Sequence, residues 1–303
     1  LYAENKTYKK PFIQVKGLIM NKRAKVVAIT SLKGGSGKTS LTSLLARYYA
    51  ETENKQVLVV DFDSGAGMTS LLNNQVVKDG TPSILEVLQD VKHYSDPRET
   101  FSRAVIHTEL EKSKGWKKNT GAIFLLPCKP ALDDFLRGNT RNLLNAAISH
   151  LGLSDDYIIL VDSGPEKVNV IMAVGCADVV FIPTRIRPQY VQPSIYTLQP
   201  IMDFQKIFNR PIFGGWVYIQ NFETQWEEEF LENFSNFCET YFQKSNIRFI
   251  DERLFIQMKP SRFIQRGKHM TWSIRDEIFF PIQKMAEVIE QTKIIDNKEP
   301  RNG

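Results

Sequence analysis

Cysteine is scarce in this sequence of 303 residues, which has only Cys128, Cys176 and Cys238. The three lie far apart, and no pair has the C-x-x-C spacing that redox motifs and many zinc sites share. The sequence therefore predicts neither a disulfide framework nor a zinc site. Reduced thiols are what we expect, as in cytosolic proteins.

Long apolar runs are also lacking. The segment at 12–20, FIQVKGLIM, is interrupted by Lys16, whereas a membrane-spanning helix needs about 20 consecutive apolar residues. The same lysine spoils the segment as the core of a signal peptide. With 42% hydrophobic and 24% charged residues, the composition is that of an ordinary globular protein, and we expect a cytoplasmic location.

Most of the chain has little net charge, although the total is +5. Residues 1–25 contain seven lysines and arginines against one acid, Glu4, so the remainder is close to neutral. A basic tract of this kind is usually a solvated tail, and the more specific alternative is that it contacts nucleic acid.

The segment at 31–40, SLKGGSGKTS, has the features of a phosphate-binding loop. The common pattern is G-x-x-x-x-G-K-[ST], but here Leu32 occupies the first position and Lys33 precedes two glycines. Such a loop brings backbone N–H groups close to phosphate oxygens, and the following helix adds the positive end of its dipole. Lys38 would reach the β- and γ-phosphates, and the Thr39 hydroxyl would bind Mg²⁺. The predicted ATP-binding residues of the loop are Lys33, Gly34, Gly35, Ser36, Gly37, Lys38, Thr39 and Ser40.

Short apolar and β-branched runs predict buried strands around this loop. The run at 25–31 ends at the loop, and leucines at helical spacing predict a helix that starts near Gly37. Further strands are predicted at 56–62, 122–127, 157–162, 178–183 and 212–219. Helices are expected at 139–151 and 194–208, the second with a kink at Pro200. We therefore predict an α/β fold, a mostly parallel β-sheet flanked by helices on both faces, of the P-loop NTPase kind.

Carboxylates follow two of the predicted strands. Ligands of parallel sheets bind at the carboxyl ends of the strands, and Asp162 closes the strand at 157–162. It can hold Mg²⁺ through a bound water, which is the Walker-B role. Asp61 and Asp63 lie at the end of the strand at 56–62. A carboxylate there can face the γ-phosphate and orient the attacking water.

Together these motifs resemble those of the ParA/MinD family of P-loop ATPases. KGGSGKTS at 33–40 is similar to the family's deviant Walker A box, and VLVVDFDSGAG at 57–67 is similar to its switch I segment. DDYIILVDSGP at 155–165 resembles its Walker-B strand. The likeness runs from about 25 to 290 and is closer to the ParA-type partition proteins.

The resemblance implies an ATP-dependent dimeric switch with slow ATP hydrolysis and with ATP and Mg²⁺ as cofactors. In the family, the extra lysine, here Lys33, reaches the phosphates of the partner's ATP. Asp63 would orient water with support from Asp61, so the implied catalytic set is Lys33, Lys38 and Asp63. A ParB-like or other adaptor protein would stimulate hydrolysis. The cargo would be a plasmid, a chromosome or a protein assembly, positioned in the cytoplasm on the nucleoid.

Two further surfaces are implied by the same resemblance. ParA-type members bind DNA without sequence preference, and a basic segment near the C-terminus could bind phosphates by counterion release. Its residues are Lys259, Arg262, Arg266, Lys268 and Arg275. Asn221 follows the strand at 212–219, where relatives have a base-contacting Asn, and is the predicted adenine contact. This sequence departs from the family in its second switch, where Gly164 and Pro165 replace the usual two prolines.

Two alternative functions stay open. A MinD-like membrane-associated positioning ATPase needs a basic amphipathic helix at its C-terminus. The segment at 279–303 instead carries several acids, including Glu287 and Glu290, and favours a helix packed on its own core, so we expect no membrane partner. A P-loop small-molecule kinase or ligase is the other alternative, although it would not need Lys33.

We see no convincing linker and predict one main domain. This P-loop ATPase domain spans 25–295. A basic N-terminal extension at 1–24 precedes it, and a polar tail at 296–303 follows it.

Overall fold

The computed structural model describes residues 23–72, 80–108, 121–139, 142–185, 187–219, 229, 232–234, 236, 255–258 and 279–292. Several predictions fall outside these residues, namely nearly all of the N-terminal extension, the polar tail and the adenine contact at Asn221. The predicted DNA-binding residues also lie outside them: Lys259, Arg262, Arg266, Lys268 and Arg275.

The described strands form one sheet. They are β1 (Lys25–Ile29), β2 (Gln56–Phe62), β3 (Ile106–Thr108), β4 (Ile123–Leu126), β5 (Tyr157–Ser163), β6 (Val179–Thr184), β7 (Ile212–Ile219) and β8 (Phe255–Met258). Their order across the sheet is β3-β4-β2-β5-β1-β6-β7-β8. Neighbouring strands are parallel except β3, which is antiparallel to β4. The mostly parallel sheet is confirmed, and each of the predicted strands is present with ends that differ by two residues at most.

Helices connect the strands. They are α1 (Lys38–Glu51), α2 (Gly67–Leu72), α3 (Ile84–Lys92), α4 (Arg98–Ala104), α5 (Leu132–Leu136), α6 (Leu143–Leu151), α7 (Lys167–Cys176), α8 (Pro188–Tyr196), α9 (Leu198–Phe208) and α10 (Phe279–Gln291). α1 begins directly after the glycine loop, as predicted, with Gly37 at its N-cap.

The sheet is covered by hydrophobic side chains on both of its faces. Along β1, Val26 and Ala28 join one core cluster, and Val27 and Ile29 join the other. α3, α6, α7 and α9 contribute to the first cluster, and α1 and α10 contribute to the second. Because successive side chains of a strand point to opposite faces, a strand that is buried on both sides must be apolar throughout. This is why the central strands read as unbroken apolar runs.

The single helix predicted at 194–208, with a kink at Pro200, is divided into two helices in the structure. The structure has two helices, α8 and α9, that meet at Thr197. Pro200 lies in the first turn of α9, so the break comes before the proline. The reason is that Pro200 has no N–H to donate to the carbonyl of Tyr196, four residues earlier. The helix predicted at 139–151 begins later, at Leu143, where the Asn142 side chain accepts a hydrogen bond from Asn145 N at 2.9 Å.

The described part of the C-terminal segment packs on the core, as the sequence predicted. In α10, the side chains of Ile282, Met285 and Ile289 are fully buried in the same cluster as α1. Lys25 of β1 donates hydrogen bonds from Nζ to the carbonyls of Ile289 and Glu290, at 2.6 and 3.0 Å. Among the residues that the structure describes, none of the helices has the length and apolar character to cross a bilayer.

Strand order positions the candidate site. β5 lies between β2 and β1, so the carboxyl ends of these three strands are adjacent. Asp162 of β5 is in register with Asp61 on one side and with Ile29 on the other. The glycine loop that follows β1 therefore lies next to the carboxylates that end β2 and β5.

Candidate functional site

The glycine loop adopts a backbone that requires glycine at two positions. Gly35 and Gly37 have φ angles of 70° and 99°, a region that side chains other than glycine rarely adopt. Gly34 and Gly35 are exposed to solvent. The first N–H groups of α1 have no partner within the helix, so the loop and the helix start form an open, donor-rich surface.

Lys38 lies inside this loop. Its side chain is buried, and Nζ donates to the carbonyls of Lys33 and Ser31 at 3.1 and 3.4 Å. Burial lowers the pKa of Lys38, and the carboxylates of Asp162 and Asp63 oppose that shift. Phosphate oxygens are stronger acceptors than these carbonyls, so Lys38 is suitably placed to bind a phosphate group beneath the loop.

Lys33 takes a different direction from Lys38. Its Nζ lies 5.7 Å from the centre of the Tyr190 ring in α8, and the guanidinium carbon of Arg185 lies 5.6 Å from the same ring. Both distances are in the range of cation–π contacts. The Tyr190 hydroxyl would be 3.6 Å from a Cβ atom placed at Gly35, so the ring packs against the loop. The two lysines therefore have different partners: loop carbonyls for Lys38 and the Tyr190 ring for Lys33.

Thr39 and Asp162 form a pair that could hold a divalent cation. Thr39 Oγ1 donates to Asp162 Oδ2 at 2.7 Å. The other carboxylate oxygen, Oδ1, is buried and has no hydrogen-bond partner among the described residues. Burial, followed by the charge of Asp61, raises the pKa of Asp162 to about 8. A hydroxyl beside an incompletely satisfied carboxylate is a donor set that suits Mg²⁺, and a cation there would favour the ionised form of Asp162.

Asp61 and Asp63 have different surroundings. Asp61 is fully buried, and its Oδ2 accepts hydrogen bonds from the backbone N and the Oγ1 of Thr69, both at 2.7 Å. Its Oδ1 accepts from Asp63 N at 3.2 Å. Burial nevertheless raises the pKa of Asp61 to about 6. Asp63 is only partly buried, and its Oδ1 accepts from Gly65 N at 2.9 Å. Asp61 therefore stabilises the segment between β2 and α2, whereas the Asp63 carboxylate remains accessible.

The backbone after β5 approaches the end of β2 closely. Gly164 N donates to Phe62 O at 2.9 Å. A Cβ atom at Gly164 would lie 2.6 Å from Asn169 Nδ2 and 3.3 Å from Asp63 Oδ1. Real Cβ atoms essentially never show the first distance. The glycine that departs from the family pattern thus leaves space for the Asn169 amide, which a larger residue would displace.

The structure brings together most of the residues that the sequence analysis selected. The glycine loop, Asp63 and Asp162 meet at one edge of the sheet, with Asp61 behind them. Ser36 is buried in the loop, and Ser40 lies in the first turn of α1.

Sequence reasoning missed four residues, Thr69, Asp133, Asn169 and Tyr190. For Asn169 a signal exists, since it is a buried amide in the otherwise apolar stretch VNVIMAVGC of α7.

The raised pKa values of the buried carboxylates predict that stability depends on pH. Asp162, with an ordinary value of 3.8 and a folded value of about 8, binds its proton more tightly in the native state than in the unfolded chain. The contribution of Asp162 to the free energy of unfolding should therefore be largest below pH 4 and fall as pH rises from 4 towards 8, by up to about 1.4 kcal/mol per pH unit. Asp61 adds to the slope below its own value of about 6.

The Asp162→Asn variant should flatten this dependence between pH 6 and 8, because the amide does not titrate and can still accept a hydrogen bond from Thr39. Urea unfolding of both proteins in this pH range, without nucleotide or magnesium, measures the difference. Equal slopes for wild type and variant would contradict the assignment of the titration to Asp162.

Comparison with known proteins shows the family to which the chain belongs. The AAA_31 family, described as an AAA domain, matches residues 24–212, which include the glycine loop and both carboxylate-bearing strands. Among curated proteins, the maintenance of carboxysome distribution protein A of Gloeothece citriformis is 25% identical over 198 residues, 63% of this chain and 69% of that protein.

Solved structures have the same fold. The ATP complex of McdA from Cyanothece has a TM-score of 0.68 at 18% identity, and the match covers 91% of this chain and 100% of that one. The structure of pNOB8 ParA bound to nonspecific DNA has a TM-score of 0.63 at 17% identity, covering 89% of this chain and 100% of that one. At such identities the likeness establishes the fold.

Proposed function

The chain belongs to the AAA_31 family of ParA-type P-loop ATPases, and on this premise we propose that it is an ATP-dependent dimeric switch. It hydrolyses ATP slowly, binds DNA without sequence preference when dimeric, and positions or segregates a plasmid, a chromosome or a protein cargo. An adaptor protein on the cargo, of the ParB type or another, stimulates hydrolysis.

The observation that carries this proposal is that the two lysines of the glycine loop differ in burial and in partners. Lys38 is buried under the loop, while Lys33 extends along the α8 side against Tyr190. One lysine suffices for the phosphates within a subunit, and a second cation so near would add little there. Lys33 is suited to a contact with the nucleotide of a second subunit, and this contact would exist only with ATP bound.

The surroundings of the site residues support the following roles. The backbone of Gly34–Gly37 and the Lys38 amine bind the phosphates of ATP, with Ser36 and Ser40 beside them. Thr39 holds Mg²⁺ directly and Asp162 holds it through water; when bound, the ion neutralises charge on the phosphates. Asp63 orients the attacking water, because Asp61 is occupied by Thr69. Asn221 remains the proposed adenine contact.

Relatives support the choice of surface and cargo. One is named for the maintenance of carboxysome distribution. Another, a ParA protein, has been solved on nonspecific DNA. In this chain the proposed DNA surface is the basic segment at 259–275, which would act by counterion release.

Retention on DNA tests this proposal. We expect the purified Asp63→Ala variant, which keeps ATP unhydrolysed, to be retained on random-sequence DNA with ATP but not with ADP or without nucleotide. Lys33→Ala in the same background should abolish retention because the dimer no longer forms. All arms need the same salt concentration, since phosphate contacts weaken steeply with salt.

Retention that does not depend on ATP, or that survives the loss of Lys33, would refute the coupled switch. A variant that dimerises with ATP but binds no DNA would refute only the DNA surface, and vesicles and protein scaffolds would then be tested as the surface.

A further inference from the structure

Helix α5 contacts both switch segments through a single carboxylate. Asp133 accepts a hydrogen bond from Ser64 Oγ, and its other oxygen accepts one from Asn169 Nδ2 at 2.9 Å. Ser64 directly follows Asp63 at the end of β2, and Asn169 lies in α7, just after the turn at Gly164. We call Ser64, Asp133 and Asn169 the switch clamp.

Among the described residues, the Asn169 side chain forms hydrogen bonds only through its amide N–H groups. Its side chain is fully buried, and Nδ2 donates to Phe62 O at 3.4 Å as well as to Asp133. Its Oδ1 is buried without a hydrogen-bond partner among the residues described. Leaving an amide oxygen unsatisfied in the interior is unfavourable. The fold retains this asparagine at that cost, which points to a use for the bond between Asn169 and Asp133.

The switch clamp fixes the surroundings of Asp63 from two directions. On one side, the side chain of Ser64, the next residue, is bonded to α5. On the other, the backbone of Gly164 lies so close to Asn169 Nδ2 and Asp63 Oδ1 that a side chain there would displace the Asn169 amide. Phe62 O accepts from both Gly164 N and Asn169 Nδ2. Asp133 is therefore bonded to residues on two sides of Asp63, Ser64 and Asn169.

We propose that Asp133 is a positioning residue for ATP hydrolysis, acting through Ser64 and Asn169 to hold Asp63 where it orients water. This inference rests on the proposed function, in which Asp63 has that role. A group that orients a reactant must be held to within about 0.5 Å, and small displacements reduce the rate sharply. Asp133 makes none of the contacts of Lys38 or Thr39, so its loss should change turnover and not ATP affinity.

The same helix provides a matched control. Asp134 is adjacent to Asp133, but its side chain is 77% exposed and pairs with Arg137 at 3.4 Å on the surface. Replacing Asp134 removes a carboxylate from α5 without affecting either switch segment. A conservative variant is also available, since the amide of Asp133→Asn can donate to Ser64 Oγ and accept from Asn169 Nδ2.

Steady-state ATP hydrolysis of the full chain tests the clamp. In Asp133→Ala we expect kcat to fall about 10- to 100-fold, with the KM for ATP within about twofold of wild type. Asp134→Ala should match wild type, and Asp133→Asn should recover most of the lost kcat. An unchanged kcat in Asp133→Ala, a rise in KM that accounts for the loss, or no recovery in Asp133→Asn would each overturn the proposal.

Hydrogen exchange provides a second readout that does not need turnover. Backbone amides in the peptide covering 62–66 should exchange faster in Asp133→Ala than in wild type and should be unaffected in Asp134→Ala. Equal exchange in Asp133→Ala and wild type would refute the clamp. A wild-type protein that hydrolyses no ATP would refute the proposed function instead, and the exchange comparison would then decide the clamp by itself.

Discussion

The Asp63→Ala variant is expected to hydrolyse ATP about 10²- to 10⁴-fold more slowly than the wild-type protein, the range that a positioned general base usually supplies. ATP binding should be nearly unchanged, because the loop backbone, Lys38 and Thr39 are untouched. The structure favours Asp63 over its neighbour for this role. Both carboxylate oxygens of Asp61 accept hydrogen bonds, from Thr69 and from the backbone N of Asp63. The Asp63 carboxylate accepts one, from Gly65, and is partly exposed.

Single-turnover hydrolysis and equilibrium binding of ATP, measured on the same preparation, separate the two effects. Glu166→Ala is a suitable control, since Glu166 is an exposed carboxylate just beyond the same edge of the sheet. If Asp63→Ala lost binding and turnover in parallel, or if Glu166→Ala were equally slow, the role assigned to Asp63 would be wrong.

The Lys33→Ala substitution is expected to abolish the ATP-dependent dimer while a monomer still binds ATP. In a symmetric dimer each lysine would contact the partner's nucleotide, so one substitution removes two contacts. A hydrogen bond to a charged group contributes about 1.5 to 3 kcal/mol. Losing two should weaken dimerisation by about 3 to 6 kcal/mol, or roughly 10²- to 10⁴-fold.

Sedimentation of Lys33→Ala in an Asp63→Ala background, with ATP and with ADP, measures this loss. Lys167→Ala removes an exposed lysine from the same edge of the sheet and controls for charge alone. A dimer that persists without Lys33, or that is lost equally without Lys167, would contradict the proposed contact across the interface.

The sequence was informative about the sheet because burial on both faces forces apolar residues at every position of the central strands. β3 escaped prediction because three residues, Ile106–Thr108, are too few to show a period. The helix predicted at 194–208 with a kink at Pro200 is instead divided into two helices. Apolar spacing continues through α8 and α9, but Pro200 deprives the carbonyl of Tyr196 of a donor four residues away, and the two helices separate at Thr197.

Of the candidate site, the glycine loop and the metal-binding pair Thr39 and Asp162 were predictable, since each belongs to a local motif. The resemblance also implied that Asp63 orients water and that Asp61 supports it. The contacts behind that difference were not predictable, because they depend on the return of α2, which brings Thr69 onto Asp61. The same holds for the switch clamp. Its three residues are separated in sequence by more than 30 positions and meet only after the sheet has formed.

The bond between β1 and α10 bears on the order in which the chain can mature during synthesis. Lys25, at the start of β1, donates hydrogen bonds to carbonyls at the end of α10. The buried side chains of α10, such as Met285 and Ile289, belong to the same core cluster as α1. The apolar side chains of α1 that face α10 can be buried only after α10 has been synthesised. A chain without α10 would expose these apolar side chains to water and would be prone to aggregate, so burial of α1, the helix that follows the glycine loop, depends on a segment more than 200 residues away.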